Sequence, residues 1–366
     1  MTVQQFWQKV VGRSGASNDN DGTGKTTHYL ADLAQFVGLP RGSNVVVAVD
    51  VSLLLYTAIK GIDAAREFDT VPSIPCDSTL KYLRKCHALL IKNNITPVYV
   101  FDGQRNPTKS TTNANRENDR TTAYQKLRDL VKDRRLQDGK EVDRLRKKIA
   151  YPRPDVVGLA VEFYKNELNA IVCCAPYEAE WQCVKLEKDG IVHAVLSEDG
   201  DVIPTGASNI VSLVQWSSDI GKCCLYRRGD ILSSEKGGSG EWNDYLWALS
   251  CLMGNDYMDR PYGTARSKQK MTFKTIKLML ESYIKAPNKD EWLENADKLF
   301  YKRNPADTNG GNVLHAGYGV KFQEVSFMIR HAPVFELTAV EGADLDLSDP
   351  MHSVHEVAMV LDLLGL

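Results

Sequence analysis

Four short apolar runs, rich in β-branched residues, punctuate a chain whose remaining segments are mostly polar with helical spacing. They are continuous rather than alternating, which is the pattern of strands buried on both faces of a parallel sheet. They predict strands at Val45 to Val49, Pro97 to Phe101, Ala170 to Cys174 and His193 to Ser197. Two further runs, Ile210 to Val214 and Cys223 to Arg227, predict a hairpin at the sheet edge, and from Asn243 onward the pattern turns helical. Segments 14–26, 233–240 and 304–311 are rich in Gly, Ser, Asn and Asp and read as loops. Strands alternating with helices predict an α/β fold, a twisted, mainly parallel sheet flanked by helices.

With 366 residues and 43% hydrophobic content, the chain can bury a full core, as one large domain or a domain with a helical appendage. No apolar run approaches the roughly 20 residues needed to cross a bilayer, and MTVQQFWQKV lacks the apolar centre of a secretory signal, so the expected location is intracellular. The eight cysteines form no CxxC spacing and lie mostly in apolar surroundings, as reduced core thiols do.

The net charge of -2 hides an uneven distribution. Between Arg105 and Arg153 the chain is crowded with Lys and Arg, interleaved with fewer acids. Alone, that pattern describes a solvated helical pair laced with ion pairs. What changes the picture is a set of acidic residues at the ends of the apolar runs: Asp50, Asp102, Glu178 with Glu180, and Asp199 with Asp201, joined by Asp256 in MGNDY. A single aspartate after a strand is ordinarily a helix cap or a loop residue. Ligands of open parallel sheets bind beyond the carboxyl ends of the strands, however, and carboxylates gathered there repel one another unless cations hold them. Asp199 and Asp201, two apart, face one side if their strand persists. The acidic set therefore points to a divalent-metal site for phosphate chemistry, and the basic segment beside it to a grip on a phosphate backbone.

Over roughly Val45 to Phe273 these residues resemble the structure-specific 5′ nucleases of the flap endonuclease type, with their excision-repair and 5′ exonuclease relatives. The resemblance rests on VAVDVSLLLY with Asp50 and Tyr56, PVYVFDG with Asp102, then Lys109 and Arg116 seven and fourteen residues further on, APYEAEWQC, SEDGD and GNDY. It implies a PIN-like nuclease core over 1–242, including a basic helical arch over 103–153 through which a single 5′ strand passes. It also implies a helix-two-turn-helix and C-terminal helical region over 243–366. Further implications are Asp50, Asp102, Glu178, Glu180, Asp199, Asp201 and Asp256 as ligands of two Mg²⁺ ions, for which Mn²⁺ can substitute. Lys109 and Arg116 would act on the phosphate, Tyr56 would stack on a base, and Gly263, Arg266 and Lys268 would contact duplex backbone. The implied reaction is hydrolysis of DNA phosphodiesters at a 5′ flap, nick or free 5′ end.

Several features depart from that pattern. The turn after Asp256 reads DRPYGTARSKQKMTF, with one glycine where the family places two, and the N-terminus has Thr2 and Gln5 at expected glycine positions. DGTGKTT is not a phosphate-binding loop, because Asp19 replaces its first glycine and no strand precedes it. The C-terminus EVAMVLDLLGL carries no sliding-clamp motif, and His315, His331, His352 and His355 are too scattered for a metal site. Two rival readings remain: a nuclease fold kept as a non-cutting nucleic-acid-binding scaffold, and a 5′ exonuclease directed at RNA. Retention of the whole acidic set with Lys109 and Arg116 favours cutting.

Overall fold

A computed structural model describes residues 28–61, 77–132, 139–152, 154–212, 214–217, 219–234, 245–257, 280–283, 285–288, 291–292, 322–323, 325–326 and 334. The chain divides into two compact units, one of residues 26–198, 209–226 and 333–366, the other of 1–25, 199–208 and 227–332.

In the first unit, strand β1 (His28–Tyr29) and a short helix α1 (Leu33–Phe36) precede β2 (Val45–Asp50), which runs without a break into α2 (Val51–Gly61). Helix α3 (Asp77–Lys92) leads to β3 (Ile95–Phe101). A 3₁₀ turn (Pro107–Lys109) then opens helix α4 (Ser110–Lys132), followed by α5 (Gly139–Ile149) and α6 (Pro154–Glu162). Next come β4 (Ile171–Cys174), α7 (Ala179–Lys188), β5 (Ala194–Leu196), β6 (Asn209–Ser212) and β7 (Lys222–Arg227).

Seven strands form one sheet in the order β1-β7-β6-β5-β2-β3-β4. The pairs β2–β3, β2–β5, β3–β4 and β5–β6 are parallel, and β1 pairs antiparallel with β7. This is the expected mainly parallel sheet flanked by helices. The central strands are buried on both faces, since Val47, Ala48 and Val49 in β2 and Ala194 and Val195 in β5 are all inaccessible. That is why their sequences are unbroken apolar runs rather than alternations. Leu54 and Leu55 of α2 and Leu83, Cys86 and Leu90 of α3 close the core against the sheet. Each large side chain so buried contributes on the order of 1.5–3 kcal/mol over its exposed state.

The basic segment folds as the packed pair α4 and α5 around a small core of its own, Ala123 and Leu127 against Val142 and Leu145. Its ion pairs include Arg120 with Glu117 and Arg144 with Glu141, and Arg120 also lies 4.5 Å over the Tyr151 ring.

In the second unit, α8 (Val202–Thr205) ends at Gly206, whose φ of 118° is accessible to glycine. Helix α9 (Arg228–Ser234) follows, and then α10 (Tyr245–Met253), which is buried at every position. Among the described residues, no helix is long and apolar enough to cross a membrane.

Candidate metal centre

Parallel pairing brings the C-terminal ends of β2, β3 and β4 to one edge of the sheet, with Asp50 opposite Val100 and Phe101 opposite Cys174. Asp50 is the last residue of β2 and is buried to 8% exposure. Its Oδ1 accepts the Ser52 N–H at 3.1 Å, so it caps α2, and its Oδ2 accepts the Ser197 hydroxyl at 3.0 Å. Asp102 follows β3. Its Oδ1 accepts the Ala179 N–H at the start of α7 at 2.8 Å, and its Oδ2 accepts the Ser52 hydroxyl. An aspartate from one strand end thus satisfies a first-turn donor of a different helix, and the positive end of that helix favours the carboxylate.

Gly103 makes the approach of these segments possible. The 102–104 turn lies against 175–177 through Gly103 N–H to Tyr177 O (2.8 Å) and Gln104 N–H to Pro176 O (2.9 Å). A Cβ at Gly103 would overlap the Ala175 carbonyl oxygen and lie 2.5 Å from that of Pro176.

Glu178 is the N-cap residue of α7 but makes no side-chain capping bond, and Glu180 lies buried in the first turn. Both face Lys109, whose Nζ donates to Glu178 Oε2 at 2.7 Å and to Glu180 Oε1 at 3.4 Å. Burial raises the Glu178 carboxyl to about 7; the Lys109 ammonium opposes this shift, and Glu180 and Asp102 add to it. Beneath them, burial holds the Cys183 thiol far above its ordinary range, reinforced by Asp50 and other acidic neighbours. Every described cysteine is free, as expected of reduced core thiols.

The strand does not persist to Asp199 and Asp201. Strand β5 stops at Leu196, and Gly200 lies in a turn in which the Asp201 N–H donates to Asp199 Oδ1 at 3.0 Å. The carboxylates are brought together by a turn that precedes α8, because the Asp-Gly-Asp sequence favours turning over extension. Asp199 and Asp201 belong to the second unit, where that turn holds them side by side. Asp256, partly buried, follows α10, and α10 packs on α8.

Tyr56 is partly exposed on α2, and Arg116 is exposed on α4. Gly263, Arg266, Lys268, the turn around them and the four C-terminal histidines lie outside the described residues. Ser52 and Ser197, which hold the aspartates, were not singled out from sequence. The available signal was a hydroxyl two residues after the first aspartate and another immediately before Glu198.

Two family models match the chain, the XPG N-terminal domain over residues 29–123 and the XPG I-region over residues 170–256. The chain thus carries both XPG segments, which together span just under half of its length. All seven carboxylates, with Lys109 and Arg116, fall inside the two XPG segments. The chain is 27% identical to exonuclease 1 of Drosophila melanogaster over 270 residues, covering 70% of this chain and 35% of that one. It is 30% identical to flap endonuclease 1 of Methanocaldococcus jannaschii over 168 residues, 46% of this chain and 48% of that one. It therefore spans about a third of the exonuclease and about half of the flap endonuclease. In fold it resembles the Holliday junction-resolving enzyme GEN1 in complex with product DNA and Mg²⁺, with a TM-score of 0.51, 17% identity, and coverage of 85% of this chain and 63% of that one. Nucleases of the XPG family use divalent metals.

Proposed function

We propose that this chain is a divalent-metal-dependent, structure-specific 5′ nuclease that hydrolyses DNA phosphodiester bonds at 5′ flaps, nicks or free 5′ ends. The observation that carries the reading is the convergence of Asp50, Asp102, Glu178 and Glu180 with a buried lysine at the carboxyl edge of one parallel sheet. Their chemistry fits a hard cation. All are oxygen donors, and the Glu178 carboxyl, raised first by burial and then by the charges of Glu180 and Asp102, sits where a cation would favour its ionised form. Asp50, Asp102, Glu178, Glu180, Asp199, Asp201 and Asp256 would hold two Mg²⁺ ions, and Mn²⁺ accepts the same oxygens. When bound, the ions supply Lewis-acid activation of a water and stabilise the departing 3′ oxygen.

The remaining steps belong to the side chains. The Ser52 and Ser197 hydroxyls orient Asp102 and Asp50, as outer hydrogen bonds orient metal ligands. Lys109 and Arg116 neutralise charge on the scissile phosphate. Tyr56 stacks on the base beside the cut, a contact that tolerates any sequence. The α4–α5 pair guides a single 5′ strand, and Gly263, Arg266 and Lys268 grip duplex backbone. A role in DNA repair or replication would place it where DNA is held, the nucleus first and a DNA-bearing organelle as the alternative.

The test is cleavage of a 5′-labelled double-flap DNA, a nicked duplex and a single-stranded RNA in Mg²⁺ and in Mn²⁺, with Asp199→Ala as control. Cutting near the flap junction that disappears in the variant is the expected result. Preference for RNA would reassign the chain to RNA turnover. Binding without metal-dependent cutting of any substrate would leave a scaffold.

A further inference from the structure

The four carboxylates of the sheet unit are held by two different kinds of partner. Asp50 and Asp102 each accept two bonds from backbone or hydroxyl donors: the Ser52 N–H and Ser197 hydroxyl on Asp50, the Ala179 N–H and Ser52 hydroxyl on Asp102. These donors are fixed by the strand and helix ends that carry them and need not move when a cation arrives. Glu178 and Glu180 instead face one mobile charge, the ammonium of Lys109, at 2.7 and 3.4 Å. The Lys109 side chain is only 8% exposed, although its four-carbon stem could carry the charge into water. Lys109 also closes the 3₁₀ turn that leads directly into α4. It is therefore both a basic partner of the two glutamates and the root of the basic helical pair.

An ammonium placed between a buried and a partly buried carboxylate supplies the compensation that a divalent cation would supply, with half the charge. A divalent cation that takes oxygens of Glu178 and Glu180 competes with the ammonium for the same lone pairs and repels it, and of the two it is the ion with twice the attraction to the carboxylates. We propose that Lys109 is the exchangeable counter-ion of the metal-free site, and that divalent cations entering at Glu178 and Glu180 eject its ammonium toward the substrate side. The inference rests on the nuclease reading, because it requires cations to bind these carboxylates. It adds an order of events. Until metal is loaded, the lysine that would meet the phosphate is engaged elsewhere, so the full chain without metal lacks one of its phosphate contacts.

The experiment uses the full chain without DNA. Lys109 reactivity toward an amine-acylating reagent is followed by mass spectrometry in EDTA and in millimolar Mg²⁺, and melting temperatures of wild type and Lys109→Met are measured in both. The expected result is a several-fold rise in Lys109 acylation with Mg²⁺. Lys109→Met should melt lower than wild type in EDTA, by about 3 °C or more, and Mg²⁺ should close at least half of that gap. If Mg²⁺ raises the wild-type melting temperature but leaves Lys109 acylation and the Lys109→Met gap unchanged, the counter-ion role is overturned while the nuclease reading stands. If Mg²⁺ moves neither the melting temperature nor the acylation of wild type, and no substrate is cut, both fall. Should Lys109→Met not fold, acylation of the wild-type chain decides alone.

Discussion

Replacing Gly103 by alanine would put a methyl group against backbone, where no rotamer can yield. The new Cβ would overlap the Ala175 carbonyl oxygen and sit 2.5 Å from Pro176 O and 2.7 Å from its carbonyl carbon. Relief requires the 102–104 turn and the 175–177 segment to part, and two backbone hydrogen bonds join them, at 2.8 and 2.9 Å. At a net 0.5–1.5 kcal/mol each, their loss would cost about 1–3 kcal/mol of stability. The functional cost should be larger. Asp102 immediately precedes the glycine, and its Oδ1 is tied to Ala179 N–H next to Glu178, so separation of the segments moves two of the proposed metal ligands apart. A misplacement of roughly 1 Å at a reacting centre costs on the order of 100-fold in rate. Urea unfolding reads the first effect and single-turnover cleavage of the flap substrate reads the second. A Gly103→Ala protein with stability within about 0.5 kcal/mol of wild type and cleavage within about twofold would refute the reasoning.

Three other perturbations have definite expected outcomes. Ser197→Ala removes the hydroxyl that holds Asp50 Oδ2 and should weaken Mg²⁺ binding about tenfold by calorimetric titration, with little change in urea midpoint. Leu127→Ala opens the small core between α4 and α5, so amide hydrogen exchange should rise through residues 110–132 and 139–149 while β2 and β3 stay protected. Burial raises the thiols of Cys86, Cys173 and Cys223 from 9.0 to about 12. These groups stay protonated in the fold but ionise on unfolding, so their stability contribution is complete below pH 9 and is lost as pH rises toward 12. Each should steepen the decline by up to about 1.4 kcal/mol per pH unit, measurable as a falling urea midpoint between pH 9 and 11.

The central strands were legible because burial on both faces demands continuous apolar sequence. β2, β3 and β4 lie within a residue or two of their expected bounds for that reason. Strand β1 left no such signal, since two residues at an antiparallel edge need only backbone pairing with Cys223 and Lys222. The acidic residues were legible through their spacing after apolar runs, but not what each one touches. Asp50 both ends a strand and caps a helix, so the cap reading and the site reading describe the same residue. Asp199 and Asp201 would share one side only if their strand persisted past Ser197, and the preference of Asp-Gly-Asp for a turn ends the strand before them. The engagement of Lys109 by both glutamates depends on contacts about 70 residues apart in the chain, which spacing alone cannot reveal.

The junction of β2 with α2 has no connecting residue: Asp50 is the last position of the strand and Val51 the first of the helix. The chain therefore carries a fixed ruler at this point. One residue inserted there would send the following side chain to the opposite face of the sheet and turn the helix by about 100° relative to the strand. Insertions elsewhere could be absorbed by loops, but a linker scan across 45–56 should find a sharply bounded interval that accepts no change of length. That interval, rather than any single side chain, marks where the fold and the proposed chemistry share the same backbone atoms.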